Sequence, residues 1–194
     1  MRRKAHAQGQ FGASAEDRSL RDNRTNSLAT GSAMRLALYQ PDIPQNAGTL
    51  LRAAACLGVT VDVIGPAGFD MTDRALRRAG LDYLTHVEIL RHPSFAAFSD
   101  WRRSSAAGSR LIVLSAHAEA PYHRFTFEHS DILMLGRESA GVPDDVRATA
   151  DAALRIPMRP GLRSLNVAVA GAIVLAEALR QVGGLPGDGS TFGG

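Results

Sequence analysis

The chain is expected to fold as an α/β domain with a mainly parallel sheet flanked by helices. From Met34 onward, short apolar runs of strand length alternate with segments of helical period. No internal repeat and no second domain interrupts that alternation. The 194 residues, 45% hydrophobic and 21% charged, suit one domain with a sizeable core.

The elements follow in order. RLALY (35–39) reads as the first strand, TLLRAAACLG (49–58) as a helix, VTVDVIG (59–65) as a strand and DRALRRAG (73–80) as a short helix. HVEIL (86–90) is a strand and PSFAAFSDWRRSS (93–105) a helix, followed by strands at RLIVLSA (110–116) and DILMLG (131–136). PDDVRATA (143–150) is a helix, AALRIPM (152–158) a strand, and a last helix runs from about Ser164 to Val182. From Val167 to Ala176 that helix has no polar side chain, so it is expected to be buried on nearly every face. In such sheets ligands bind in the loops beyond the carboxyl ends of strands. These loops start at Gln40, Ser115, Gly136 and Met158.

Residues 1–33 are polar and lack a sustained apolar period, which predicts a disordered arm, followed by the domain at 34–183 and a flexible Gly-rich tail at 184–194. The arm is either a weak RNA contact or without function. The chain has no apolar run long enough for a membrane span and no secretory block in its first thirty residues, so a cytoplasmic protein is expected. The formal charge is +3. It resides entirely in the arm, where Arg2, Arg3, Lys4, Arg18, Arg21 and Arg24 oppose Glu16, Asp17 and Asp22. Any basic surface on the domain is therefore a local cluster. Lys4 is the only lysine, and arginine forks suit phosphate, although a base-composition bias produces the same usage. The single cysteine, Cys56, excludes an internal disulfide and a cysteine metal cluster, and its apolar neighbours predict a buried structural thiol. The six histidines show no ligand spacing, so no metal is implied.

Three segments carry chemistry. In QPDIPQNAGTLLR, after the first strand, Pro41 and Pro44 predict an extended entry, Asn46 a helix cap and Gly48 a close backbone approach, with Arg52 on the helix that follows. A capped helix with a surface arginine fits the same spacing. In MLGRESAGVP a strand ends at Gly136, with Glu138 and Gly141 in the turn and Pro143 opening the next element. Such a backbone surface can lie against a nucleoside, and no GxGxxG or Walker pattern is present. In RIPMRPGLRSLN a strand ends near Ile156 and Met158, Ser164 can cap the last helix, and Arg163 and Asn166 project nearby.

These three segments, in this order, resemble the motifs of the SpoU-TrmD (SPOUT) class of S-adenosylmethionine-dependent RNA methyltransferases. The first is N-x-G-x-x-x-R, as Asn46, Gly48 and Arg52; the second G-x-E-x-x-G, as Gly136, Glu138 and Gly141. The third is I-P-M followed by S-L-N, as Ile156, Pro157, Met158, Ser164, Leu165 and Asn166. The segment GPAGFDMTDRALRRAGLDYLTHVEI (65–89) is similar to the tRNA (cytidine(34)-2'-O)-methyltransferase, or TrmL-type, family. The resemblance spans about Arg35 to Gln181.

The resemblance implies a C-terminal deep trefoil knot, a homodimer, S-adenosylmethionine as cofactor and tRNA as substrate, with methylation of the wobble ribose of cytidine 34 or a modified uridine 34. It places the cofactor against Leu114, Gly136, Glu138, Gly141, Ile156, Met158, Ser164 and Leu165, and the reaction near Arg52, Asn46, Ser164 and Asn166. Arg52, permanently charged, is expected to orient ribose and phosphate rather than act as a base. Arg74, Arg77 and Arg78, spaced to share one helix face, together with Arg163, are the RNA-contact candidates. The chain departs from the family at Ala168, where many members carry Ser, and at Ala176, where several carry Tyr before Glu177. The alternatives are a 2'-O-methyltransferase acting at another tRNA or rRNA position, or a catalytically silent RNA-binding module.

Overall fold

The computed structural model describes residues 34–71 and 82–187. Seven strands form one sheet: β1 (Arg35–Tyr39), β2 (Thr60–Ile64), β3 (Ile89–His92), β4 (Leu111–Leu114), β5 (Ala120–Pro121), β6 (Ile132–Leu135) and β7 (Ala152–Arg155). Their order is β3-β2-β1-β6-β4-β7-β5, and each pairing is parallel. The expected fold class holds. The helices are α1 (Pro44–Leu57), α2 (Phe95–Ser105), α3 (Asp144–Arg147) and α4 (Val167–Val182), with 3-10 turns at Asp82–His86 and Tyr122–Arg124. β5, only two residues long, falls below what a period of two can signal.

Strand alternation builds two cores. Leu36 and Leu38 of β1, with Val61, Val63, Leu133, Leu135 and Leu154, meet Leu50, Leu51 and Ala54 of α1 and Val174, Leu175, Ala178 and Leu179 of α4. Ala37 and Tyr39, with Val113 and Met134, face the other way and meet Phe98 of α2 and Val146 of α3. β1 and β6 are neighbours, yet α1, after β1, packs on the first face and α3, after β6, supplies Val146 to the second. That divergence opens a crevice at the carboxyl ends of β1 and β6, the switch point of a doubly wound sheet.

α4 explains its own composition. A Cβ on Gly171 would lie 2.6 Å from Leu135 Cδ1 and 2.7 Å from Leu50 Cδ2, so the helix seats its small residues directly on β6 and α1. Its outer side is exposed at Val169 and Ala176.

Several boundaries differ from expectation. α1 starts at Pro44, with Ile43 as N-cap and no side-chain cap, because proline lacks the N–H that a first turn leaves unpaired and is preset for the helix. Pro44 is therefore not an extended entry, and Asn46 lies inside the first turn rather than capping it. α4 starts at Val167 with Asn166 as its cap, so Ser164 stays in the preceding loop. Cys56 is exposed, not buried: Leu50, Leu51 and Ala54 define the inward face of α1, and residue 56 lies about 200° around the helix from Ala54. The expected helix at 73–80, with Arg74, Arg77 and Arg78, lies outside the described residues, as do the arm and the end of the tail.

Candidate active site

A cavity of about 910 Å³ opens at the switch point. Its walls are the loops after β4, β6 and β7 and the first turn of α1. Leu114, Gly136, Glu138, Gly141, Ile156, Met158, Ser164 and Leu165 all line it, and so do Asn46, Arg163 and Asn166. Arg52 does not line it.

The 136–141 loop shows why its motif needs two glycines. The Arg137 N–H donates to the Gly141 carbonyl at 3.1 Å and the Gly141 N–H to the Arg137 carbonyl at 2.8 Å, closing a tight turn. Gly141 has φ +68°, in the left-handed region. A Cβ on Gly136 would stand 2.3 Å from the Gly141 carbonyl carbon and 2.5 Å from Val142 N, so the turn folds over a position with no room for a side chain.

A reciprocal clasp joins this turn to the loop after β1. The Asp42 carboxylate accepts the Glu138 N–H at 3.0 Å, the Ser139 N–H at 3.4 Å and the Ser139 hydroxyl. Glu138 Oε2 in return accepts the Asp42 N–H at 3.2 Å. Hydrogen bonding to Glu138 and Ser139 holds the Asp42 carboxyl down at about 2, against 3.8 ordinarily. Because the folded value is the lower one, the clasp contributes fully above about pH 4 and is lost as pH falls through about 2. Glu138 thus helps to hold the turn, and Asp42, its partner, lies outside the residues expected at the site. Its only sequence signal is being the one carboxylate in the loop after β1. Asp42→Ala is expected to accelerate amide hydrogen exchange of Glu138 and Ser139 by about tenfold near neutral pH, the loss of roughly one charge-assisted hydrogen bond. Unchanged exchange would show that the clasp does not order the turn.

The first and third motifs also meet. Asn166 Oδ1 caps α4 by accepting from the N–H groups of Ala168 at 2.8 Å and Val169 at 3.3 Å. That fixes its amide, and Asn166 Nδ2 donates to Asn46 Oδ1 at 2.9 Å across 120 residues of sequence. The Asn46 Nδ2 is left as a donor on the cavity wall.

Two cations on the wall have no carboxylate partner among the described residues. Arg147 is paired with Asp144 at 2.8 Å, whereas Arg137 Nε is shut from solvent without an acceptor and Arg163 sits on an exposed loop. The cavity therefore combines apolar surface at Leu114, Ile156, Met158 and Leu165 with the unpaired Arg137 Nε and the anchored Glu138. Those features fit a ligand carrying both a flat ring and an anionic group. No group of His, Cys, Asp and Glu suited to a metal ion occurs among the described residues.

Arg52 stands on the exposed face of α1. Its Nη2 donates to the Tyr83 hydroxyl at 3.1 Å, and its guanidinium carbon lies 4.4 Å from the centre of the Tyr83 ring. Tyr83, in the 3-10 turn Asp82–His86, was not foreseen as a partner.

Residues 33–176 match the model of the SpoU rRNA Methylase family. The chain is 61% identical over 150 residues to a tRNA (cytidine(34)-2'-O)-methyltransferase of Beijerinckia indica, covering 77% of this chain and 92% of that one. It is 52% identical to the enzyme of the same name from Ancylobacter novellus, covering 81% and 98%. Among solved structures it is similar to one described as giving insights into 2-OH methylation of C/U34 on tRNA, with TM-score 0.70, 45% identity and coverage of 78% and 97%. It is also similar to the SpoU methyltransferase AviRb of Streptomyces viridochromogenes in complex with AdoMet, with TM-score 0.70, 30% identity and coverage of 77% and 58%. With a family model spanning most of its length and relatives of such identity along nearly their whole chains, the protein belongs to the SpoU methylase family.

Proposed function

We propose that this protein is a tRNA ribose 2'-O-methyltransferase that uses S-adenosylmethionine and acts on nucleotide 34, a cytidine or a modified uridine. The observation that carries this reading is the assembly of all three motif segments around one cavity whose lining suits the cofactor. The names of the relatives supply the substrate. When bound, the cofactor offers an electrophilic methyl group on a sulfonium.

The chain's part is positioning, where in-line displacements gain most. Leu114, Ile156, Met158 and Leu165 give apolar contact for the adenosine portion, and the turn held by Gly136, Gly141 and the Asp42 clasp shapes that wall. The oriented Asn46 amide, backed by Asn166, can donate to a ribose oxygen, and Ser164 lies on the same wall. Arg163 and Arg52 are the guanidinium groups assigned to RNA, and Arg52 keeps its charge throughout, holding ribose and phosphate rather than removing a proton. Arg74, Arg77 and Arg78 belong to the same reading as phosphate contacts.

In one subunit Arg52 stands outside the cavity, so one ribose must be reached from two places. A homodimer supplies that arrangement, and a surface suited to it is present. Val169 and Ala176 on α4, with Leu162, Leu165 and Ile43 beside its start, leave an exposed apolar face, Leu162 being 66% exposed. Sedimentation at twice the 20.6 kDa chain mass is expected. The trefoil knot belongs to the proposal as well, supported by the return of the chain from β7, across β4, to seat α4 on β6 and α1. Among the described residues no helix is long and apolar enough to cross a membrane, and the substrate assigns the reaction to the cytoplasm.

Arg52→Ala tests the residue assignment. Its kcat/KM for tRNA is expected to fall about tenfold to a hundredfold, the scale of one or two charged hydrogen bonds. Cofactor affinity by calorimetry should stay unchanged, because Arg52 is not on the cavity wall. An active variant would remove Arg52 from the mechanism.

A further inference from the structure

The segment 65–89 narrows the resemblance to one family, yet the cavity uses none of it. Its described part meets Arg52 through Tyr83. Next to it in the 3-10 turn, Leu84 packs against the core, and Val87 does so just beyond, so the turn is anchored while Tyr83 remains 37% exposed. Among the described residues the ring it presents takes the Arg52 guanidinium, held by stacking and by the hydrogen bond to the phenol oxygen.

An arginine on an exposed helix face samples many rotamers, and ordering it on RNA costs entropy at the moment of binding. A tyrosine that takes the guanidinium face by cation–π contact and one N–H by hydrogen bonding removes most of that freedom beforehand. The N–H groups not taken by the phenol stay in the plane of the fork, available to a ribose oxygen or a phosphate. No carboxylate forms an ion pair with Arg52 among the described residues, so the tyrosine orients the charge without neutralising it.

We propose that Tyr83 is a positioning residue for ribose methylation: it aims the Arg52 guanidinium at the RNA. The proposal rests on the assignment of Arg52 to the reacting nucleotide. It makes the family-specific segment part of the catalytic machinery through a single contact.

The test is a double-mutant cycle on the full chain, using Tyr83→Ala, Tyr83→Phe, Arg52→Ala and the two combinations. The readouts are kcat and KM for unmodified tRNA transcript, cofactor Kd by calorimetry, and Tm. Tyr83→Ala is expected to lower kcat/KM about fivefold, the size of one partly exposed cation–π and hydrogen-bond contact. Cofactor Kd should not change. Tyr83→Phe keeps the ring and should lose less. In the Arg52→Ala background both Tyr83 substitutions should cost nothing further, a result that a general loss of folding would not give. Should Tyr83→Ala lower Tm, Tyr83→Phe carries the same cycle, its smaller loss again vanishing without Arg52. The proposal is overturned by wild-type kcat/KM in Tyr83→Ala while Arg52→Ala is impaired, or by equal losses in both backgrounds. If Arg52→Ala is itself fully active, the Arg52 assignment fails and the Tyr83 proposal with it.

Discussion

Asp62→Ala is expected to lower the free energy of unfolding by about 3–5 kcal/mol, the range for removing one partner of a buried ion pair. Asp62 lies at the centre of β2 with no solvent exposure. Its carboxylate accepts Arg35 Nε at 2.7 Å and Nη2 at 3.1 Å, a bidentate fork from β1, and meets His92 Nε2 of β3 at 2.8 Å. Aromatic groups of α2 close the cluster. Trp101 stacks on the Arg35 guanidinium at 4.7 Å, and the His92 ring lies 5.3 Å from Phe98 and 5.2 Å from Trp101. Alanine would leave the Arg35 charge beneath Trp101 without its acceptor and open a void between three strands. Urea unfolding monitored at Trp101 measures the loss. A change below about 1 kcal/mol would mean that water or a shift of Arg35 replaces the carboxylate. Replacing Arg35, Asp62 and His92 together by apolar residues of similar volume should restore much of the stability, since no uncompensated charge then remains.

Gly136→Val is expected to weaken cofactor binding about a thousandfold, roughly 4 kcal/mol. The nearest atoms to the new Cβ would be Gly141 C at 2.3 Å, Val142 N at 2.5 Å and Gly141 Cα at 2.8 Å, all backbone. No rotamer change relieves such contacts, so the turn must open, breaking the paired hydrogen bonds between Arg137 and Gly141. It would also drag Glu138 and Ser139 away from Asp42. Gly141 differs in kind: a Cβ there meets open space, and only its φ of +68° opposes substitution. Gly141→Ala should therefore cost about 1–2 kcal/mol at most. Calorimetry with S-adenosylhomocysteine separates the two variants. Wild-type affinity in Gly136→Val would show that the turn is not the cofactor wall.

How far the sequence alone reaches can be seen from particular residues. The alternation of apolar runs located β1, β2, β4, β6 and β7, because buried parallel strands carry the strongest periodic signal. The turn at Gly136, Glu138 and Gly141 was legible because two glycines and an acid five residues apart already describe a closed loop. Pro44 was ambiguous, since the same ring favours an extended entry and the first position of a helix, and only the fold decides. The side on which Cys56 falls depends on helix phase, which the alanine-rich stretch around it leaves weakly marked. Asp42 and Tyr83 are not legible in the sequence for a different reason. Their partners, Glu138 and Arg52, are 96 and 31 residues away, and no local pattern encodes such a pairing. The motif order places Arg52 near the reaction, whereas the six residues after Asn46 carry it around α1 to the outer face, off the cavity wall.

The measurement that bears most directly on the central claim is methyl transfer from labelled S-adenosylmethionine to unmodified tRNA transcripts, with the product mapped by nuclease digestion and mass spectrometry. One transcript carries cytidine at position 34, and its twin carries 2'-deoxycytidine there. Transfer to the ribose of nucleotide 34 in the first, and none in the second, is the predicted result. Methylation of both transcripts at another position would keep the enzyme class and contradict the substrate, and no transfer to either would contradict the proposed function.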